Sequence, residues 1–210
     1  IQVIGVEPAN AACMKASLKA GKVVSLPSAV TIADGTAVKT PGDIVFPYIQ
    51  KNLDDIITVE DEELIVNFLD VVENHKMVVE NSGLLTVAAL KHLNCKDKRV
   101  VSILSGGNMD IITMSSVVQH GLIERGRVFT VSVQLPDRPG ELVNVANVIA
   151  QLKGNVIRLE HNQFVSINRN AAVELKITLE AFGHEHKQQI VDALKEKGYD
   201  PKLENPTSLY

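Results

Sequence analysis

Short apolar runs alternate with helical patterns along roughly the first 125 residues. The run Ile1–Val6 has no polar alternation and predicts a strand buried on both faces of a parallel sheet. Further strands are predicted at Asp55–Val59 and Arg99–Leu104. Helices are predicted between and after them, at Ala9–Ala20 with Gly21 at its end, from Pro41 toward Lys51, over Leu64–Val72 behind a capping box at Thr58–Asp61, at Glu80–Leu93 and at Met109–Val118. This alternation is typical of an α/β domain with a parallel, doubly wound sheet.

The pattern changes after His120–Arg127, a stretch that is typical of a linker. The segments that follow are a strand Val128–Leu135, a helix Glu141–Leu152, two strands within Asn155–Asn168 and Ala171–Phe182 around an Arg169-Asn170 turn, a helix His184–Lys197 and a strand Tyr199–Leu203. The order β-α-β-β-α-β is that of the ferredoxin-like split unit. We therefore predict two domains, residues 1–122 and 127–204.

Composition excludes several classes of protein. The 210 residues are 45% hydrophobic and carry a net charge of −4, which argues against a nucleic-acid-binding domain with its usual basic excess. No apolar run reaches the roughly 18 residues of a membrane span. Cys13 and Cys95 form no disulfide framework, so a cytoplasmic location is expected. The opening strand needs neighbours that the chain does not supply, and we expect an N-terminal part of the first domain to be missing.

Two loops carry candidate binding chemistry in the first domain. Ser105-Gly106-Gly107-Asn108 follows a predicted strand and opens a helix, at the sheet edge where α/β proteins bind ligands. An ordinary strand-to-helix turn has the same composition. Thr31–Gly35 supplies an aspartate that is either functional or simply part of an Asp-Gly turn.

Three other motifs are weaker. Glu7 follows the first strand, where a carboxylate either joins carbonyls around a cation or favours the helix N-terminus. Asp137–Leu142 joins a strand to a helix and offers free N–H groups to a carboxylate, as ordinary capping residues also do. His184-Glu185-His186 has no third metal ligand nearby, and Cys95 is expected to be a loop thiol without a role.

Taken together, the motifs resemble the second half of the threonine/serine dehydratases, which are pyridoxal-phosphate enzymes of fold type II. The resemblance covers about Ile1–Val118. The residues that carry it are Ile4-Gly5-Val6-Glu7-Pro8, Thr31-Ile32-Ala33-Asp34-Gly35, Pro41-Gly42, Asp54-Asp55-Ile56, Glu80 to Gly83 and Leu104-Ser105-Gly106-Gly107-Asn108. The segment from Val128 resembles an ACT domain, a ferredoxin-like amino-acid sensor whose motif is matched by Asp137-Arg138-Pro139-Gly140-Glu141-Leu142.

The dehydratase resemblance implies a pyridoxal 5'-phosphate site. Ser105 would hydrogen-bond the pyridine nitrogen, with Gly106 beside it. A hydroxyl does not hold that nitrogen protonated, which makes the ring a milder electron sink. Gly35 would lie beside the cofactor and Glu80 would face its ring. Asn81-Ser82-Gly83 departs from the small-residue run that is common in the family.

The resemblance also implies a cation site at Glu7, the Ala11 carbonyl and Cys13. Some relatives have a carboxylate where Cys13 stands. Because a thiol is a poor ligand for hard cations, a monovalent ion such as potassium, held largely by carbonyls, is expected.

The lysine that forms the Schiff base with the cofactor lies in a Ser-Phe-Lys segment in this family, and no such segment occurs here. Lys15, Lys39 and Lys76 stand in unrelated contexts. The resemblance therefore predicts the C-terminal portion of a threonine ammonia-lyase, converting L-threonine to 2-oxobutanoate and ammonia in the complete protein and inactive alone.

The ACT resemblance implies regulation by an amino acid, with isoleucine or valine expected as effector. The implied effector site consists of Asp137, Arg138, Pro139, Gly140, Glu141, Leu142, Asn155 and Val156. ACT domains usually pair, so a homodimer or homotetramer is expected. The alternatives are a stand-alone amino-acid-binding module and a serine dehydratase or racemase acting on serine.

Overall fold

A computed structural model of the chain describes residues 1–162 and 173–204. The chain divides into two compact units, Ile1–Gly121 and Leu122–Tyr210. The predicted hairpin turn at Arg169-Asn170 lies outside the described residues.

The first unit contains a parallel pair of strands with helices packed around it. Val6 lies opposite Ile57 and Pro8 opposite Val59, so the strands are in register over their full length. Asp55–Val59 is confirmed as a strand. The elements in chain order are β1 (Ile4–Pro8), α1 (Cys13–Ala20), α2 (Phe46–Asn52), β2 (Asp55–Val59), α3 (Asp61–Asp70), α4 (Asn81–Ala88) and α5 (Ile111–Glu124), which ends in the second unit.

Helices α3 and α4 form the centre of the first unit's core. Leu64 and Phe68 of α3 and Leu84 of α4 are fully buried, in agreement with the helical period of the sequence. The carboxylate of Glu63 adds a polar link at the end of this packing, since it accepts hydrogen bonds from His92 Nε2 at 2.9 Å and from Lys91. Burial raises the pKa of Glu63, but these bonds outweigh it and hold that pKa below its usual range.

The strand predicted at Arg99–Leu104 is wrong. Residues 99–110 form neither strand nor helix, and Val101 and Ile103 are 88% and 70% exposed. An apolar run forms a strand only where a neighbouring backbone completes its hydrogen-bond ladder. The segment is instead tied to α4 by Thr86 Oγ1, which donates to the Ile103 carbonyl at 2.9 Å. β1 is also only half-buried, not covered on both faces as predicted.

Several helix boundaries differ from the prediction, among them the start of α1, which is at Cys13 in place of Ala9. The capping box of α3 uses Glu60 and Glu63, with the Glu63 carboxylate accepting from the Glu60 N–H at 2.7 Å, because Thr58 belongs to β2. The predicted linker at His120–Arg127 is helical as far as Glu124. Gly121 lies inside α5 although glycine is unfavourable within helices. A Cβ there would lie 2.7 Å from Leu69, so the close packing against Leu69 explains the glycine.

The second unit has the predicted β-α-β-β-α-β order. Its sheet is antiparallel with strand order β4-β5-β3-β6. The elements are β3 (Val128–Leu135), α6 (Glu141–Gln151), β4 (Asn155–Asn162), β5 (Val173–Glu180), α7 (His184–Glu196) and β6 (Lys202–Glu204). Most bounds lie within one or two residues of the predicted ones, and β6 begins three residues late.

One face of this sheet packs against both helices. The core is a single cluster of apolar side chains from β3, β5, α6 and α7, including Val131, Ile177, Ile149 and Ile190, each at most 1% exposed. On the other face, Thr130 and Ser132 of β3 and Thr178 of β5 carry hydroxyl groups. Thr130 Oγ1 and Thr178 Oγ1 are both buried and lie 2.9 Å apart, which satisfies each of them.

Strand β4 lies at the edge of the sheet and all eight of its residues are exposed. Val156, Ile157 and Leu159 are among them. An exposed edge strand with apolar side chains is a template for pairing with another chain. In the described part of the molecule, no helix has the length and apolar character needed to cross a membrane.

Candidate functional site

Two helix N-termini position the predicted loop Thr31–Gly35. Asp61, at the start of α3, accepts hydrogen bonds from Thr31 Oγ1 at 2.5 Å and from the Ile32 N–H at 3.1 Å. Asn81, at the start of α4, donates through Nδ2 to the Ile32 carbonyl at 3.0 Å. The loop is thereby fixed on both sides before it turns at Asp34. Asp34 itself is exposed and accepts from the Gly35 N–H at 2.8 Å, which is the Asp-Gly turn chemistry.

Gly35 and Gly106 both lie close to the carboxylate of Glu80. A Cβ on Gly106 would lie 2.1 Å from Glu80 Cδ, and one on Gly35 would lie 3.7 Å from Glu80 Oε1. The Glu80 N–H also donates to the Gly106 carbonyl at 3.3 Å. Gly106 has φ +77, a left-handed conformation that favours glycine. A Cβ at Gly106 would therefore clash with the Glu80 side chain, whereas a Cβ at Gly35 would be in ordinary contact with Glu80 and would clash with Ser82 Oγ at 2.8 Å.

Ser105 is held at the same place by a second close approach. A Cβ on Gly83 would lie 1.7 Å from the Ser105 carbonyl oxygen and 2.8 Å from Val79 Cγ1. The backbone of Ser105 therefore rests directly on the first turn of α4. Ser105 is exposed and directly precedes Gly106, the glycine that lies against the Glu80 side chain. The four residues predicted for the cofactor, Gly35, Glu80, Ser105 and Gly106, lie together.

Two buried polar atoms at the start of α4 have no hydrogen-bond partner among the described residues. They are Asn81 Oδ1 and Ser82 Oγ. Ser82 Oγ lies 2.8 Å from the position that a Cβ on Gly35 would take, between Gly35 and α4. Buried oxygens without a partner are uncommon in folded proteins and occur where a ligand or water completes the site. Both atoms border the cluster formed by Gly35 and Glu80.

The predicted cation residues have a different arrangement. Both carboxylate oxygens of Glu7 accept from α1, from the N–H groups of Met14 and Lys15, each at 2.8 Å. This is the favourable placement of a negative charge at a helix N-terminus. Cys13 and Ala11 are buried. Burial, followed by the charge of Glu7, raises the pKa of the Cys13 thiol, so the sulfur stays protonated and is a poor ligand.

The predicted effector residues are divided between the two ends of the second unit's sheet. Asp137–Leu142 follows Leu135, whose partner on β5 is Val173. Asn155 pairs instead with Glu180 at the opposite end of β5, and Val156 with Leu179. Seven residues of strand separate these ends, roughly 23 Å at the usual rise. One chain does not bring the two groups together.

The remaining titratable candidates have structural partners. His184 Nε2 lies 2.8 Å from the Glu124 carbonyl and His186 Nε2 lies 2.6 Å from the Leu152 carbonyl. Across residues 1–162 and 173–204, no group of three or more His, Cys, Asp or Glu side chains is arranged to hold a metal ion. The Cys95 thiol contacts the Leu90 carbonyl at 3.8 Å.

Sequence reasoning missed the roles of Asp61, Asn81 and Ser82. Asp61 was assigned only to a cap, whereas it binds a loop 29 and 30 residues away. Asn81 and Ser82 stand out in sequence only as a departure from a small-residue run. Polar side chains at the start of a helix normally form hydrogen bonds with the backbone of the same helix. The neighbouring sequence therefore does not show that these two side chains face another loop.

Comparison with known proteins gives a family and several relatives. The family model described as pyridoxal-phosphate dependent enzyme matches residues 1–106. The chain is 38% identical over 201 residues to an L-threonine ammonia-lyase of Geobacter sulfurreducens, covering 95% of this chain and 50% of that protein. It is 33% identical over 204 residues to an L-threonine ammonia-lyase of Thermotoga maritima, covering 97% and 51%. The chain therefore spans about half the length of these curated relatives.

A solved structure shares the fold of part of the chain. The processed form of threonine deaminase isoform 2 from Solanum lycopersicum superimposes with a TM-score of 0.52 and 31% sequence identity. The match covers 57% of this chain and 36% of that protein. The mixed α/β architecture thus agrees with a fold type II neighbour.

Proposed function

Since the chain belongs to the family of pyridoxal-phosphate dependent enzymes, we propose that it is the C-terminal portion of a threonine ammonia-lyase, which converts L-threonine to 2-oxobutanoate and ammonia. The threonine ammonia-lyases among its relatives, 33% and 38% identical over nearly the whole chain, support this substrate. The sheet that the structure describes in the first unit consists of the pair β1 and β2. The proposed enzyme requires the remainder of that domain.

The observation that carries the proposal is the convergence of Glu80, Ser105 and two glycines at one edge of α4. The residues fit pyridoxal phosphate in two respects. Gly106 permits close contact with the Glu80 side chain and Gly83 permits close contact with the Ser105 carbonyl, and any Cβ would block both contacts. Ser105 itself is exposed and precedes Gly106 in the chain. The unpartnered Ser82 Oγ beside Gly35 supplies a further polar atom at the border of the site.

When bound, pyridoxal phosphate supplies an electron sink for removal of the substrate's β-hydroxyl group. In our proposal the Ser105 hydroxyl hydrogen-bonds the pyridine nitrogen and leaves it unprotonated. Gly35 and Gly106 let the backbone lie against the ring. The Glu80 carboxylate would hold the cofactor's orientation. The lysine of the Schiff base is assigned to the part of the enzyme that this chain does not cover.

Complementation tests this proposal. The half of the Geobacter sulfurreducens relative that this chain does not match is produced separately and mixed with the chain and pyridoxal phosphate. We expect 2-oxobutanoate from L-threonine in the mixture and none from either half alone. Ser105→Ala is expected to lower this activity strongly, with Ser102→Ala as the matched serine control. D-serine from L-serine in place of 2-oxobutanoate would favour the racemase alternative.

We propose an ACT regulatory domain for the second unit. Its β-α-β-β-α-β order and the strand order β4-β5-β3-β6 support this assignment. Since Asn155 and Asp137–Leu142 lie at opposite ends of one sheet, a complete effector site needs a second copy placed antiparallel along the exposed edge of β4. The domain would then pair in a homodimer or homotetramer.

The effector response tests the ACT assignment. An effector acts only through different affinities for two states, and isoleucine and valine are the expected ligands. Gly140 has φ +96 in the turn before α6, so Gly140→Asp both strains the turn and adds a negative charge where a carboxylate would bind. We expect this variant to lose the effector response in the complete enzyme while catalysis persists. An unchanged response would refute the assignment.

A monovalent cation near Glu7 remains part of the proposal. Because the Cys13 thiol is kept protonated, the ion would be held by the Glu7 carboxylate and backbone carbonyls such as that of Ala11. We expect potassium to raise the Tm and the activity of the complete enzyme relative to tetramethylammonium. Equal values in the two salts would exclude the site.

A further inference from the structure

The first turn of α3 contains a carboxylate that the helix does not use. Asp61, Glu62 and Glu63 all lie in this turn. The capping box is complete without Asp61, because it is formed by the side chains of Glu60 and Glu63. The exposed Glu62 supplies the favourable negative charge at the helix N-terminus as well as Asp61 does. The hydrogen bonds that Asp61 accepts from outside the helix therefore need a separate explanation.

Both carboxylate oxygens of Asp61 hold the Thr31–Gly35 loop. Oδ1 accepts from Thr31 Oγ1 at 2.5 Å, and Oδ2 accepts from the Ile32 N–H at 3.1 Å. Thr31 Oγ1 in turn accepts from the Ala33 N–H at 3.1 Å, so one hydroxyl group connects the carboxylate to the backbone of the loop. Hydrogen bonds to a charged acceptor are roughly twice as strong as neutral ones, which makes this anchor a strong one.

Local hydrogen bonds extend this anchor to Gly35. Thr36 donates to the Ala33 carbonyl both from its N–H and from Oγ1, each at 2.9 Å. Gly35 lies between these two residues, and its N–H donates to Asp34 Oδ1 at 2.8 Å. Because hydrogen bonds close the turn on both sides of Gly35, the glycine follows any movement of the loop.

Gly35 has little room for such a movement. A Cβ on Gly35 would lie 2.8 Å from Ser82 Oγ and 3.7 Å from Glu80 Oε1. A loop that shifts toward α4 would press on the Ser82 hydroxyl, and one that shifts away would withdraw from Glu80. The position of Gly35 in the proposed cofactor site thus depends on the anchor at Asp61.

We propose that Asp61 is a positioning residue of the ammonia-lyase reaction. Its carboxylate, through Thr31 Oγ1 and the Ile32 N–H, keeps Gly35 in place at the pyridoxal-phosphate site and contacts neither cofactor nor substrate. The inference rests on the proposed function and adds a residue of α3 to it. The competing explanation is a purely structural role, in which Asp61 stabilises the fold and leaves cofactor binding and turnover unchanged.

Variants of the complemented enzyme test the proposal, with the chain mixed as above with the half of the Geobacter sulfurreducens relative that it does not match. Asp61→Ala removes both acceptors, and Thr31→Val removes the hydroxyl while keeping the shape of the side chain. Each should weaken pyridoxal-phosphate binding, measured by the fluorescence of the bound cofactor, by about tenfold to a hundredfold, as expected for a lost charge-assisted contact. Each should also lower kcat for L-threonine by a similar factor, with KM changed much less.

The hydroxyl of Thr31 and the carboxylate of Asp61 should act as one unit. Thr31→Ser keeps the hydroxyl group and should bind pyridoxal phosphate and turn over L-threonine nearly as the parent does. The double variant Asp61→Ala/Thr31→Val should lose little more than Asp61→Ala alone, because both substitutions remove the same hydrogen bond. Two residues that stabilise the fold independently would give neither result.

Two matched controls lie in the same turn of α3. Glu62→Gln removes one negative charge from the helix N-terminus, and Glu63→Gln weakens the capping box. Both should keep the cofactor affinity and the kcat of the parent at a temperature where circular dichroism shows every variant to be folded. In the separate 210-residue chain, hydrogen exchange at the Ile32 and Ala33 amides should be faster in Asp61→Ala than in Glu62→Gln.

Unchanged cofactor affinity and kcat in Asp61→Ala, even with a lowered Tm, would overturn the proposal in favour of the structural role. Equal losses in Thr31→Ser and Thr31→Val would also overturn it, and this pair decides the question if Asp61→Ala does not fold. So would equal hydrogen exchange in Asp61→Ala and Glu62→Gln. These results leave the proposed function standing. A parent mixture of associated halves that binds no pyridoxal phosphate, or leaves L-threonine unchanged, would instead refute the proposed function and this inference with it.

Discussion

Replacing Gly83 with alanine is expected to displace the Ser105 loop from α4. The added Cβ would lie 1.7 Å from the Ser105 carbonyl oxygen and 2.8 Å from Val79 Cγ1. Two such atoms in ordinary contact are separated by about twice the 1.7 Å found here, so the loop must move by roughly 1.5 Å. Neither neighbour is a flexible side-chain end, because one is backbone and Val79 is buried.

Gly83→Ala is expected to lower the free energy of unfolding because the added methyl group overpacks a site that has little freedom to relax. Substitutions that add a methyl group to a well-packed site cost about 1–3 kcal/mol, which lowers the Tm by roughly 3–15 °C for a unit of this size. The displacement also moves Ser105 relative to Glu80. A misplacement of about 1 Å costs an enzyme on the order of a hundredfold in rate, and we expect a comparable loss in the complemented enzyme.

Gly107→Ala is the matched control in the same loop, since a Cβ there would have the Val78 carbonyl oxygen as its nearest neighbour at 3.8 Å. Circular dichroism melting gives the Tm, and limited proteolysis reports whether residues 99–110 leave α4. The reasoning predicts a lower Tm and faster cleavage for Gly83→Ala only. Identical melting and cleavage in the two variants would refute it.

Three further outcomes follow from individual contacts. The pKa of Glu63 is lowered on folding, so its carboxylate stabilises the fold above about pH 4 and this contribution is lost as the pH falls through the folded-state pKa. Glu63→Gln should therefore cost about 1 kcal/mol in urea unfolding at pH 7 and progressively less as the pH is lowered into the acid range. The raised pKa of Cys13, from burial and from Glu7, predicts slow alkylation by iodoacetamide at pH 8 that urea accelerates, and equal rates would contradict it. Thr178→Val should cost about 1–2 kcal/mol because Thr130 loses its partner, whereas the double valine variant should be nearly neutral in the same unfolding assay.

The second unit was largely predictable because its signals are local. Alternation over Val128–Leu135 fixes which side chains face the helices, and Val131 and Val133 are fully buried as that pattern requires. The helical period of the apolar residues, followed by Gly154, predicts where α6 ends. Pairing order is also constrained, since connections of this length allow few topologies.

The first unit was predictable for its helices but not for its sheet. Arg99–Leu104 has strand composition, yet a strand forms only with a paired backbone, and composition does not show which neighbour is present. The site residues Ser105 and Glu80 were found through motifs. The close approach of their two segments depends on Gly83 and Gly106, which pack against residues more than 20 positions away in sequence. Local patterns cannot show such long-range packing.

The measurement that tests the central proposal most directly is L-threonine turnover by the complemented enzyme. The chain is combined with the half of the Geobacter sulfurreducens relative that it does not match, and the association of the halves is verified by gel filtration. We predict 2-oxobutanoate formation that requires added pyridoxal phosphate and falls sharply in Ser105→Ala. Associated halves that bind pyridoxal phosphate and yet leave L-threonine unchanged would contradict the proposed function.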